Sequence, residues 1–194
     1  MKNIAIVCEG KADKDFFNSL IEHLIENKTI NLYEKTVSFY ILGGKGSLFK
    51  VENKNYQELQ SEVLMERTEK ILFVVDADDV INDAIYGGYE NTEKALNELI
   101  SQLDFENISS TYIMCDPITK TGYLESFILS TIPEQQRHCI ERFLDCSQFK
   151  SKENHKAILN QIYNIAYPNA PYNFAHSHFD ELKEKLCLLF SNEL

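Results

Sequence analysis

Ile71-Leu72-Phe73-Val74-Val75-Asp76-Ala77-Asp78-Asp79 decides how this chain folds. An unbroken apolar run rich in β-branched residues is the mark of a strand buried on both faces, as in a parallel sheet. The run stops on an Asp-x-Asp pair, and sites in open parallel sheets lie just beyond the strand C-termini. A second stretch of the same design, Ile4-Ala5-Ile6-Val7-Cys8-Glu9-Gly10, ends on a carboxylate and a glycine. If the two strands are neighbours, Glu9, Asp76 and Asp78 converge at one edge of the sheet. Two carboxylates ~4 Å apart repel by about 4 kcal/mol at an effective dielectric near ~20. Such a cluster therefore calls for a hard divalent cation.

Working outward, the chain alternates strands and helices. Strand 3–8 leads into a helix over 12–26, where Phe16, Phe17, Leu20, Leu24 and Ile25 make one apolar face. Strand 37–42 is stopped by Gly43-Gly44-Lys45-Gly46, and 47–67 is mostly helical in pattern. After strand 71–75 come a Tyr86-Gly87-Gly88-Tyr89 loop, a helix near 91–103 and strand 111–115. Asp116-Pro117 breaks that strand, and Gly122-Tyr123-Leu124-Glu125 opens another helix. This rhythm predicts an α/β fold with a mostly parallel central sheet and helices on both faces. Beyond 132 only helices are expected, at Pro133–Phe149, Glu153–Ala166 and Phe179–Phe190. The expected division is an α/β domain over 1–131 and a helical extension over 132–194 packed on the same core.

Composition narrows the function. At 194 residues, 44% apolar and 25% charged, the chain can bury a sizeable core. No apolar run approaches the roughly 20 residues a membrane span needs, so no membrane partner is expected. Met1-Lys2-Asn3 leads directly into a strand without a cleavable signal pattern, and the expected location is cytoplasmic. Cys8, Cys115, Cys139, Cys146 and Cys187 are odd in number and lack zinc spacing, which reads as buried free thiols in a reducing compartment. A net charge of −11 argues against a general nucleic-acid binder. It does not exclude a nuclease, but nucleic acid would have to be held locally or with a basic protein partner.

Glu9-Gly10-Lys11-Ala12-Asp13 followed by Phe16-Phe17, with the later Asp76-Ala77-Asp78, resembles the Toprim family. Gly43-Gly44 after the second strand and Gly122-Tyr123-Leu124-Glu125 after the fourth add two further elements, as in small Toprim-related proteins. The primase-type continuation after Asp78 is missing, so the OLD-type nuclease branch is the better analogy. The resemblance implies a nuclease, a phosphodiester hydrolase dependent on Mg²⁺ or Mn²⁺ and acting on DNA or RNA. It implies that Asp76 and Asp78 share the principal ion and that Glu9 is a ligand or the general acid/base. Asp13 would bind a second metal, Glu125 would complete the acidic pocket, and Lys152 or Lys156 would face a phosphate. In two-metal hydrolysis one ion acidifies the attacking water while the other stabilises the leaving oxygen.

Structural readings stand beside these roles. Asp13 is equally an N-cap for a helix starting at Lys14. Glu125 can serve simply to favour its helix N-terminus, and Asp79 reads as a turn residue. Gly43-Gly44-Lys45-Gly46 lacks P-loop spacing and reads first as a tight turn, second as a phosphate cradle. His176 and His178, without Cys or acidic partners, read as surface residues rather than a zinc site. Tyr86, Tyr89 and Tyr123 flank the mouth as packing residues more readily than as nucleophiles. Two other functions are compatible with the sequence: a non-catalytic Toprim-like module that binds metal, nucleotide or a partner, and a small-molecule phosphohydrolase.

Overall fold

The computed structural model describes residues 2–147, 161–162 and 172–191. Four strands form one sheet: β1 (Lys2–Cys8), β2 (Lys35–Ile41), β3 (Thr68–Asp76) and β4 (Ser109–Met114). Their order is β2-β1-β3-β4, and every pair is parallel. The two apolar runs of the sequence are thus the two central strands, with Ile6 opposite Leu72 and Val7 opposite Phe73.

Side-chain alternation divides the core into two layers. Ile4, Ile6, Cys8, Leu72 and Val74 face one layer, with Phe16, Phe17, Leu20 and Leu24 of helix α1 (Lys11–Glu26). Ala5, Val7, Ile71, Phe73 and Val75 face the other, with α3 (Lys54–Leu64) contributing Tyr56 and Leu59. Helix α4 (Tyr89–Gln102) adds Leu96, Leu99 and Ile100 to that second layer. A four-residue turn of helix, α2 (Lys45–Leu48), links β2 to α3. Helices therefore cover both faces, as the alternating rhythm predicted. From β1 the chain moves outward to β2, and from β3 it moves the opposite way to β4. The sheet thus reverses direction between β1 and β3.

Helix α5 (Leu124–Leu129) follows β4, then α6 (Glu134–Ser147), a 3-10 turn at Ser177–Phe179, and α7 (Asp180–Phe190). Leu182, Leu186, Leu189 and Phe190 of α7 lie in the same cluster as Ile4 and Leu72. Phe127 and Phe179 meet edge to face at 5.0 Å, which ties α5 to the C-terminal segment. Two lysines fasten the end of α7 to the sheet. Buried Lys35 donates to the carbonyls of Phe190 and Ser191, and Lys70 to those of Leu188 and Ser191. They satisfy carbonyls that the helix end cannot, and place positive charge at its negative pole. Apart from residues 161–162, the predicted helix over Glu153–Ala166 lies outside the described residues, as do the lysines Lys152 and Lys156.

Candidate functional site

Glu9 follows β1 directly and Asp76 is the last residue of β3, so both stand at the C-terminal edge where the sheet reverses direction. This crevice is where ligands enter open parallel sheets. The Glu9 side chain crosses it, with Oε1 accepting from the Asp76 backbone N–H at 2.9 Å. Asp76 reaches forward, its Oδ1 accepting from the Leu124 N–H at the start of α5 (3.1 Å). One carboxylate thus joins the two central strands and the next joins β3 to α5.

The turn beyond Asp76 is held from two sides. Asp78 adopts a left-handed φ of 59° and pairs with Gly122 in an isolated antiparallel bridge. Asp tolerates that conformation better than bulkier residues. Gly122, at φ 93°, has no such substitute: a Cβ there would lie 2.3 Å from Ser126 Oγ. On the other side Gly43 and Gly44, both with positive φ, donate their N–H groups to the Glu9 carbonyl at 3.0 and 2.9 Å. That turn delivers Lys45 into the interior. Its ammonium donates to the carbonyl of Asp76 (2.7 Å), the carbonyl of Ala77 (3.0 Å) and Thr92 Oγ1 (2.9 Å). It also lies 3.7 Å from Asp78 Oδ2.

Electrostatics follow from burial. Asp76 and Asp78 are only 5% and 4% exposed, and Lys45 is 7% exposed. Burial first, then the charges of Asp76, Asp78 and Asp13, push the Glu9 carboxyl up to about 8, although the Asp76 N–H opposes the shift. Burial pulls Lys45 below its ordinary value, against Asp78, Glu9, Asp76 and Asp83, which favour its charge. Burial with the Asp13 and Glu9 charges lifts Cys8 to about 12, so this strand-end thiol is inert.

The other expected residues divide. Asp13 is the third residue of α1 and accepts from the Gly10 N–H at 2.8 Å, so it caps the helix from inside rather than preceding it. Glu125 is buried at the start of α5, where its charge bears on Tyr172. Among the described residues, no group of three or more His, Cys, Asp or Glu side chains is arranged to hold a metal ion. The five carboxylates do not form a protein-only cage. A Mg²⁺ site does not require one: that ion is typically held by one or two carboxylates, with waters and substrate phosphate oxygens completing the shell. Asp76 and Asp78 could supply the one or two hard oxygen donors such an ion needs.

His176 and His178, read from sequence as surface residues, are half-buried. His176 Nδ1 accepts from the His178 N–H, and the His178 ring meets Ser130 Oγ at 2.8 Å. Tyr86 stacks on Phe49, and Lys120 lies over the Tyr89 ring. Of the cysteines, Cys8 and Cys115 are buried, but Cys139 and Cys146 on α6 are exposed, contrary to expectation; all five are free. The residues that sequence reasoning undervalued are Lys45 and Thr92. The available signal was a lysine between glycines directly after a strand.

This is a doubly wound parallel α/β domain with a buried acidic cluster at its switch point, an architecture consistent with the Toprim-like fold. Over residues 3–185 the chain matches the family described as Protein of unknown function (DUF3226), and it belongs to that family. No curated protein and no solved structure matches it. No helix among the described residues is long and apolar enough to cross a membrane.

Proposed function

We propose that this chain is a Toprim-related phosphodiester hydrolase, a cytoplasmic nuclease dependent on Mg²⁺ or Mn²⁺. By family analogy it would serve genome defence or maintenance. The observation that carries the reading is the convergence of Glu9, Asp76 and Asp78 at the β1/β3 switch point, with Glu9 held near a pKa of about 8. Asp76 and Asp78 would hold the ion, which when bound supplies an acidified water and charge stabilisation at phosphorus. Asp76 is oriented for this by the Leu124 N–H, and Asp78 by its bridge to Gly122. Glu9 is anchored through Oε1, which leaves Oε2 to hold or release a proton near neutral pH. Burial limits water around the cluster and strengthens each of these interactions.

Cleavage of labelled DNA and RNA oligonucleotides, with Mg²⁺, Mn²⁺ or chelator, tests the reading. Activity should require the divalent ion and vanish in Asp76→Asn, which keeps an oxygen for the Leu124 N–H and hence the fold. Activity undiminished in folded Asp76→Asn would sink it. A second reading, a non-catalytic module working with a basic partner, is favoured by the net charge of −11 and by the protein bonds already made by these carboxylates. Partner binding that survives loss of Asp76 and Asp78, without turnover, would select it. Hydrolysis of nucleotides or phosphate esters alone would select a small-molecule phosphohydrolase.

A further inference from the structure

We propose that Lys45 is the resident cation of the acidic cluster, a positioning residue whose ammonium occupies the role of a second metal. The site then accepts no more than one divalent ion. The ion count rests on the hydrolase reading; the counter-ion role does not.

The position of Lys45 is built rather than incidental. Two glycines with positive φ turn the chain at Gly43 and Gly44, and the same turn is pinned to the Glu9 carbonyl. The ammonium has three donors, and three acceptors surround it: the carbonyls of Asp76 and Ala77, and Thr92 Oγ1. Thr92 is itself fully buried and lies 2.6 Å from the Tyr86 carbonyl. A lysine buried this deeply costs free energy unless negative charge offsets its desolvation. Asp78, Glu9 and Asp76 supply that charge, in that order. Asp83 acts more weakly and is engaged in its own loop, accepting from the Ile85 and Tyr86 N–H groups.

The charge balance limits the metals. Lys45 already puts a fixed positive charge 3.7 Å from Asp78 Oδ2, with its ammonium on the Asp76 and Ala77 carbonyls. A second divalent ion beside the same carboxylates would have to share that buried space with the ammonium. Lys45 also holds the two carbonyls that flank the Asp76–Asp78 turn, so it shapes the ligand pair as well as neutralising it.

Two measurements test this together. The first is a double-mutant cycle on thermal stability in chelator, with Lys45→Met, Asp78→Asn and the double variant. Asn accepts the left-handed conformation at position 78, so its effect is chiefly loss of charge. The second is calorimetric titration of the wild type with Mn²⁺. Lys45→Met should lower the melting temperature, and adding Asp78→Asn should restore at least about half of the loss, because the stranded charge is gone. Wild type should saturate at one Mn²⁺ or fewer per chain. Additive losses in the cycle, or two Mn²⁺ per chain in the wild type, would overturn the proposal. Zero Mn²⁺ with strong coupling would support Lys45 as the counter-ion and retire the hydrolase reading instead. If Lys45→Met fails to fold, Lys45→Gln, which removes the charge but keeps a hydrogen-bond donor, takes its place in the cycle.

Discussion

Replacing Glu9 by Gln should change how the stability of this protein depends on pH, with a sign fixed by the burial of that carboxyl. In the folded chain the group titrates at about 8 instead of the ordinary 4.5, chiefly through desolvation and the adjoining Asp76 charge. The folded state therefore keeps a proton that the unfolded chain has released. Stability from this group is fully present below the unfolded value and is lost as pH rises toward the folded one. At ~1.4 kcal/mol per pKa unit, the complete gap corresponds to a ceiling of roughly 5 kcal/mol. Part of that shift comes from the Asp76 charge, so part of that amount belongs to the pair rather than to Glu9 alone. Gln at position 9 can still accept from the Asp76 N–H but cannot ionise, which leaves the geometry and removes the linkage. The assay is denaturant unfolding of wild type and Glu9→Gln in chelator, from about pH 5 to about pH 9. The variant should gain on the wild type by at least ~1.4 kcal/mol across that range, one pKa unit's worth. Parallel stability curves would refute the electrostatic account of the site.

Further outcomes are expected elsewhere in the fold. Asp13→Ala removes the carboxylate that caps Gly10 and should cost about 0.5–2 kcal/mol in denaturant unfolding, with Mn²⁺ affinity retained. A large loss of metal affinity would return Asp13 to the ligand set. Gly122→Ala forces a side chain into φ 93° and against Ser126, and should cost about 1–3 kcal/mol while disrupting the Asp78 bridge. Its amide at Asp78 should then exchange with solvent faster than in the wild type, by hydrogen exchange. Lys35→Met leaves the Phe190 carbonyl without its charged donor and the Ser191 carbonyl with Lys70 alone, and should cost about 1–3 kcal/mol, with faster hydrogen exchange confined to α7.

Much of the sheet is legible in the sequence because burial on both faces leaves a coarse mark. The runs at Ile4–Cys8 and Ile71–Val75 could scarcely be anything but central strands, and Glu9 and Asp76 end them in the structure. Helix α1 is also legible, from the spacing of Phe16, Phe17, Leu20 and Leu24. Its start was less so: it opens at Lys11 because Asp13 reaches back to Gly10, a local contact that shifts the boundary without changing the pattern. What the pattern does not carry is long-range pairing. The inward turn of Lys45 depends on carbonyls 31 and 32 residues away and on Thr92, 47 residues away. The fastening of α7 by Lys35 and Lys70 spans more than a hundred residues. Charged residues usually read as solvated, so buried lysines of this kind leave little trace in composition.

The most direct measurement is the melting temperature of the wild type and of the Asp76→Asn/Asp78→Asn double variant across a Mn²⁺ titration. The account predicts a rise in the wild type that grows with the logarithm of Mn²⁺ above the dissociation constant, reaching about 2.7 kcal/mol of stabilisation at a hundredfold excess, and no rise in the variant. Equal shifts in both proteins, or none in the wild type at millimolar metal, would contradict it.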